Sequence, residues 1–465
     1  MRLSEYAAYD GVGLIGLLRS GEVGVEEVTA AAYEAIERVN PLINAVVESY
    51  DPTSLHPVAD DALLAGVPSL RKDIHDEAGR QVSYASRLTN GVVATSSQPS
   101  VQRMQDLGIR FIGRSATSEF AMYATTESRL FGDTRNPWDL TRSVGGSSGG
   151  AAAAVAAGVV PFADASDAGG SIRIPAACCG LVGLKTTRPV VAVASEPAHL
   201  NGNVELVVAR TVRDVSLMAG LVDGVRRTSD SPSVAETLRI ALSVDPWAPR
   251  TSLDSEIIAA VLGVASALDR PTRVIESATP VYDVEAYWDA ILVRLAGDLY
   301  RQTRQWSRHL GRPLSPDLLE PVTWQYVELG RRITADDVRR AYVQRDSVVE
   351  QMHRFFEHFD VLITPTLQVL TPLIGTAGGE VEVTSAREHF LLAEEVSPNL
   401  AVFNMTGHPA ISVPAALSRT GLPIGVQLVG RHGSDDVLLA LAAELEERFR
   451  WQHRIPPVHV SRMGS

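Results

Sequence analysis

Two serines set among paired glycines limit what this chain can fold into more than any other feature. The first lies in Gly145-Gly146-Ser147-Ser148-Gly149-Gly150. The second lies in Asp167-Ala168-Gly169-Gly170-Ser171-Ile172-Arg173-Ile174-Pro175, 24 residues after Ser147. Between them Gly149 to Gly158 reads GGAAAAVAAG. A helix with so little side-chain bulk is expected to pack tightly in an interior rather than flex. Glycine lets backbone approach closely and adopt angles other residues resist. Successive backbone N–H groups beside a serine can cradle a developing oxyanion, and a serine nucleophile needs that cradle and a proton acceptor. Gly-Ser clusters more often mark loops or turns, and a glycine run before a helix could hold a phosphate. The Walker spacing is absent, however, and no Gly-x-Gly-x-x-Gly opens a helix after a strand. Two rigidly supported serine loops favour catalysis over a linker.

GGSSGG followed by DAGGSIRIPA resembles the amidase signature family, which are Ser–cis-Ser–Lys hydrolases. The resemblance extends upstream to Gly66-Val67-Pro68-Ser69-Leu70-Arg71-Lys72-Asp73. It continues through Gly113-Arg114-Ser115-Ala116-Thr117-Ser118-Glu119-Phe120 and Asp133-Thr134-Arg135-Asn136-Pro137-Trp138. Near the end it returns in Phe403-Asn404-Met405-Thr406-Gly407-His408-Pro409-Ala410 and Gly421-Leu422-Pro423-Ile424-Gly425-Val426-Gln427. Several separated motifs in the right order make this a specific signal.

The resemblance implies that Ser171 is the nucleophile, Ser147 the proton relay and Lys72 the base. It also implies a cis peptide before Ser147 and an oxyanion hole made by the backbone N–H groups of Ala168, Gly169, Gly170 and Ser171. Asp167 and Arg173 are expected to pair and hold the loop, and Ser148 to donate a supporting hydrogen bond. Asn136, Gln427 and Glu119 read as framework. The chemistry is coherent: lysine titrates near 10.4 in water, and burial lowers that value by disfavouring the charged form. Malonamidase-like members carry arginine three residues after the nucleophile; here that residue is Ile174. A neutral acyl group is therefore expected, with Arg87 or Arg114 as the cations to grip an anionic one. Arg114 and Ala116 stand where lysine and asparagine are frequent, and are expected to alter a wall of the site.

Composition narrows the remaining classes. The chain has 465 residues, 45% of them hydrophobic, enough for a large core. A net charge of −13 argues against free nucleic acid as a partner. Cys178 and Cys179 are adjacent in an apolar run, which suits small buried hydrophobes better than a disulfide framework. The histidines show no zinc spacing, so no metal and no cofactor are implied. His75, two residues past Asp73, reads as structural. The first six residues do not resemble a signal peptide, and Ala151 to Phe162 is too short to span a bilayer. The expectation is a cytoplasmic protein acting on a small-molecule amide, with no membrane partner and a homodimer left open.

Along the chain, residues near 10 to 40 read as two helices, Asn44 to Glu48 as a strand, and Val101 to Leu107 as a helix stopped by Gly108. Ile109–Gly113 and Ile240–Val244 read as strands, Leu253–Leu268 as a helix. After Thr334 a stripe of Val338, Tyr342, Val349, Met352, Phe356 and Phe359 predicts a long helix, feeding a strand at Val361–Thr364. Tyr282, Tyr287, Trp288, Trp306, Trp324 and Tyr326 concentrate aromatic area, as core or as the family's substrate funnel. The pattern changes after Pro189, yet no linker or repeat breaks the chain. The reading is α/β, a single large domain over 1–465 with a central mixed β-sheet flanked by α-helices. Its signature core spans about 60–190 and its variable funnel region about 275–395.

Three activities share the triad. The first is a stand-alone amidase cleaving the C–N bond of a neutral carboxamide. The second is the A subunit of a tRNA-dependent amidotransferase. The third is an acyltransferase that excludes water from the same acyl-enzyme. The motif Arg454-Ile455-Pro456-Pro457-Val458 resembles stand-alone amidases.

Overall fold

Alternating hydrophobic runs and helical stripes resolve into an eight-stranded mixed sheet with helices packed against it. The computed structural model describes residues 1–59, 61–188, 203–225, 237–247 and 252–463. Pro189, where the sequence pattern changes, lies outside them. Across the sheet the strands run Arg273–Ser277, Leu238–Leu242, Val361–Pro365, Pro423–Gly430, Ala410–Leu417, Val182–Lys185, Val204–Ala209 and Phe162–Asp167. Leu238–Leu242 is parallel to both neighbours, and the other pairs are antiparallel.

A second, three-stranded sheet stands beside this one, an addition to the single sheet expected. Arg110–Ser115 is its middle strand, antiparallel to Val46–Ser49 and parallel to Pro68–Lys72. Pro68–Lys72 lies against the edge strand Phe162–Asp167 without extending its ladder. The Ser69 hydroxyl donates to the Phe162 carbonyl at 3.0 Å, and the Lys72 N–H donates to Asp164 Oδ2 at 3.0 Å. Side chains take the places that strand backbone would fill, so the sheets abut and remain distinct.

The glycine–alanine helix, Gly149–Ala156, is buried at every residue. Small side chains let it pass between the two sheets, where a bulkier one would overpack. The predicted long helix spans Ala335–His358, and its stripe buries Val349, Met352 and Phe356, while Val338 and Tyr342 are half-buried. It packs on Val284–Leu310, and with Pro321–Gly330 these helices carry a second hydrophobic cluster. Tyr287, Trp288 and Tyr326 are buried in that cluster, with Tyr282, Trp306 and Trp324 packed at its margin.

Candidate active site

The strand end at Lys72 delivers its side chain, wholly buried, into a ring of three serine hydroxyls. Lys72 Nζ lies 2.9 Å from Ser147 Oγ, 2.8 Å from Ser148 Oγ and 3.0 Å from Ser166 Oγ. Burial lowers the lysine to about 7, against the opposing pull of Asp164, Asp167 and Glu205. A neutral amine donates two hydrogens and accepts one. The Ser148 hydroxyl donates to the Ser166 carbonyl at 3.3 Å, so its oxygen receives from Lys72. Ser147 is thereby free to give its proton to the nitrogen lone pair.

Ser147 sits in a turn where the backbone admits no side chain before it. A Cβ on Gly146 would meet the Thr125 carbonyl oxygen at 2.2 Å. The Gly146–Ser147 peptide is cis. Thr117 Oγ1 donates to the Ser147 carbonyl at 2.9 Å, and the Ser148 N–H donates to the Ser171 carbonyl at 3.3 Å, tying the two serine loops together.

Ser171 is partly exposed at the meeting of two cavities. One, of about 100 Å³, is lined by Ile174, Ile291, Leu295 and Phe390 among others. The second, of about 330 Å³, opens past Ser147, Ser166, His75 and Glu205. Ala168 and Gly169 line the walls beside Ser171. Gly170 lines neither cavity. Its N–H donates to Asp167 Oδ1 at 2.7 Å, so this one of the four expected oxyanion donors is engaged within the loop. Gly170 has φ of +120°, and a Cβ there would lie 2.9 Å from Leu400. This donor holds the shape of the turn.

Asp167 and Arg173 form a fully buried ion pair, with Nε to Oδ2 at 2.9 Å and Nη2 to Oδ1 at 3.0 Å. Arg173 also donates to Gln427 Oε1 at 2.7 Å, Asn404 Oδ1 at 2.7 Å and the Leu400 carbonyl at 3.2 Å. Asn404 Nδ2 donates to Asp167 at 2.9 Å. The late motifs therefore hold the arginine that holds the loop. Asn136 braces the other side, donating to the carbonyls of Ser143 and Cys178. Glu119 is buried and accepts from Ser86 Oγ at 2.6 Å and the Glu320 N–H at 2.8 Å.

Three residues at the site carry no signal in the motifs: Asp164, Ser166 and Arg294. Asp164 and Ser166 alternate along Phe162–Asp167, so both face Lys72. Asp164 Oδ2 meets His75 Nδ1 at 2.7 Å as well as the Lys72 N–H. Arg294 borders both cavities and donates to the Ala168 carbonyl at 3.4 Å. Arg114 does not form a wall of the site. It bonds Asp73 and Glu48 behind the Lys72 strand, and Arg87 is exposed; neither lines a cavity. Ala116 is buried against the backbone side of Gly150. Burial pushes the Cys178 thiol up to about 12 and Cys179 higher still, so both stay protonated at neutral pH.

This fold is that of an amide hydrolase. A family model described as Amidase matches residues 27–439, and the chain belongs to the amidase signature family, whose members hydrolyse amide C–N bonds. It is 33% identical to a 6-aminohexanoate-cyclic-dimer hydrolase of Pseudomonas sp. (strain NK87), covering 96% of each chain. It is 32% identical to an acylamidase of Rhodococcus erythropolis, covering 94% of each. The solved structure of a 6-aminohexanoate cyclic dimer hydrolase complexed with substrate superposes with a TM-score of 0.84 at 30% identity. That match covers 97% of this chain and 99% of the other. No helix among the described residues is long and apolar enough to cross a membrane.

Proposed function

We propose that this amidase cleaves a neutral carboxamide through an acyl-enzyme on Ser171, with Ser147 as proton relay and Lys72 as base. The observation that carries the reading is a wholly buried lysine, lowered to about 7, with Nζ 2.9 Å from Ser147 Oγ. Lys72 takes the Ser147 proton, and Ser147 takes that of Ser171 as its oxygen attacks the amide carbonyl. The N–H groups of Ala168, Gly169 and Ser171 stabilise the oxyanion. Collapse expels the amine, which receives its proton through Ser147. Ser147 lines the larger cavity and not the smaller one, so the amine departs on the larger side and the acyl group occupies the smaller side. Water then enters from the vacated side and releases the acid.

A fluorophosphonate probe is expected to label the native enzyme on Ser171, located by peptide mapping. Label on Cys178 or Cys179, or full activity in Ser171→Ala, would sink the assignment.

The smaller cavity favours a neutral acyl group. Ile174 stands in its wall, burial pushes Glu394 up to about 8, and burial lowers His389 to about 4, so both are uncharged at pH 7. Arg294 has the acidic Asp298 near it. An unpaired carboxylate buried there costs several kcal/mol. The cyclic dimer named for the relative has no free carboxylate, in keeping with this preference. Kinetics on an amide and its carboxylate-bearing analogue should give the higher kcat/KM to the neutral compound. The reverse order would assign the grip to Arg294.

A further inference from the structure

Far along the chain from the serines, three histidines without any metal signature in their spacing come together. His353 is on the helix Ala335–His358, His408 precedes the strand Ala410–Leu417, and His432 follows the strand Pro423–Gly430. One ring nitrogen of each lies within 4.8 Å of one on both others. The ring centroids are 5.2, 5.2 and 4.5 Å apart, with planes crossing at 70°, 89° and 68°. His408 is buried, and His353 and His432 are exposed.

We propose that His353, His408 and His432 form a binding site for a divalent transition cation of the zinc type, with the fourth position open to water. Imidazole nitrogen suits zinc, copper and nickel, and excludes magnesium and calcium as preferred ions. With zinc–nitrogen bonds of about 2.0–2.1 Å, tetrahedral ligand atoms stand about 3.3 Å apart. The nitrogens must close by no more than about 1.5 Å, which the two exposed side chains accommodate by rotating. Thr406 aims two of the three rings. Its carbonyl accepts from His432 Nε2 at 2.7 Å, which leaves Nδ1 with its lone pair. Its hydroxyl meets His408 Nδ1 at 2.9 Å, which leaves Nε2. Such partners set the tautomer and direction of metal-ligating histidines. Phe356 stacks on His408 with centroids 4.5 Å apart, fixing the buried ring from its other face. A bound cation would tie the long helix to two strands of the central sheet.

The test is calorimetric titration of the purified full chain with Zn²⁺. The expected result is saturable binding of one equivalent. His353→Ala and His432→Ala should each weaken it by roughly 100-fold, and Thr406→Val, which loses only an orienting hydroxyl, by roughly tenfold. Zn²⁺ should raise the Tm of the native chain and not that of His353→Ala/His432→Ala. That double variant, altered only at exposed positions, should keep its metal-free Tm and amidase activity, which shows that it folds. No saturable binding, or equal binding by the double variant, overturns the proposal.

Discussion

Lys72→Ala is expected to lower kcat/KM on a carboxamide by roughly 10⁴-fold, the scale on which a member of a catalytic triad is lost. It should also erase the pH dependence of the remaining rate. In the native enzyme burial is the dominant influence on Lys72 and lowers it to about 7. Below that pH the nitrogen is an ammonium with no lone pair for the Ser147 proton, and Ser171 stays inert. Above it the amine is neutral. The native kcat/KM profile should therefore rise through one ionisation near 7 and then level off. Lys72→Arg should not restore the rate, because guanidinium keeps its proton. Lys72→Met keeps the stem that fills the space between the sheets, so its Tm separates loss of the base from loss of the fold. Amides should suffer more than the matching esters, since an amine leaving group also needs a proton returned through Ser147. If Lys72→Met retains the rising limb on an amide, the base lies elsewhere, and His75 is the next residue to replace.

Arg173→Met should be the most damaging single change to stability, at about 3–5 kcal/mol. Methionine fills much of the same volume and leaves the Asp167 carboxylate, the Asn404 amide oxygen and Gln427 without their cation. Urea unfolding at pH 7 measures the loss. The pH dependence tells charge from packing. Burial on its own raises the Asp167 carboxyl, but the Arg173 charge and the donors from Arg173, Asn404 and Gly170 outweigh it and hold the folded value below the ordinary one. Stability from such a depressed group is whole above the unfolded pKa of about 3.9. It is lost as pH falls through the lower folded value. In Arg173→Met the carboxyl is no longer held down and takes up its proton more readily on acidification. The gap between native and variant stability should then be widest at pH 7 and narrow towards pH 4. A gap under 1 kcal/mol, or one that does not change with pH, would show that the arginine serves only by filling space.

The residues of the serine loops were legible because their chemistry is local. Gly170 is required by a positive φ within its own turn, and the alanine run announces a helix with no room around it. Helical stripes and strand runs are likewise set by neighbours a few residues away, which is why the long helix after Thr334 and the strand at Val361 could be read directly. The family motifs, in order, carried Lys72 into the same site as Ser147 although 75 residues separate them. Motif order did not reveal that Gly170 turns its N–H inward, since that depends on where the Asp167 carboxylate points.

Tertiary structure alone decided the pairings that cross the chain. Asp164 and Ser166 are small polar residues in a strand until Pro68–Lys72 is laid against their face. Arg294 looks like any arginine on an amphipathic helix until that helix packs over Ala168. Arg173 is held by Asn404 and Gln427, 231 and 254 residues away. His353, His408 and His432 meet only because a helix and two strand ends converge. Period and turn chemistry act over one or two turns of backbone, so sequence determined the elements and the nature of the serine loops. Which buried charge finds which partner depends on how those elements stack, because a buried group without a partner is costly and the stacking that satisfies it is a property of the closed chain.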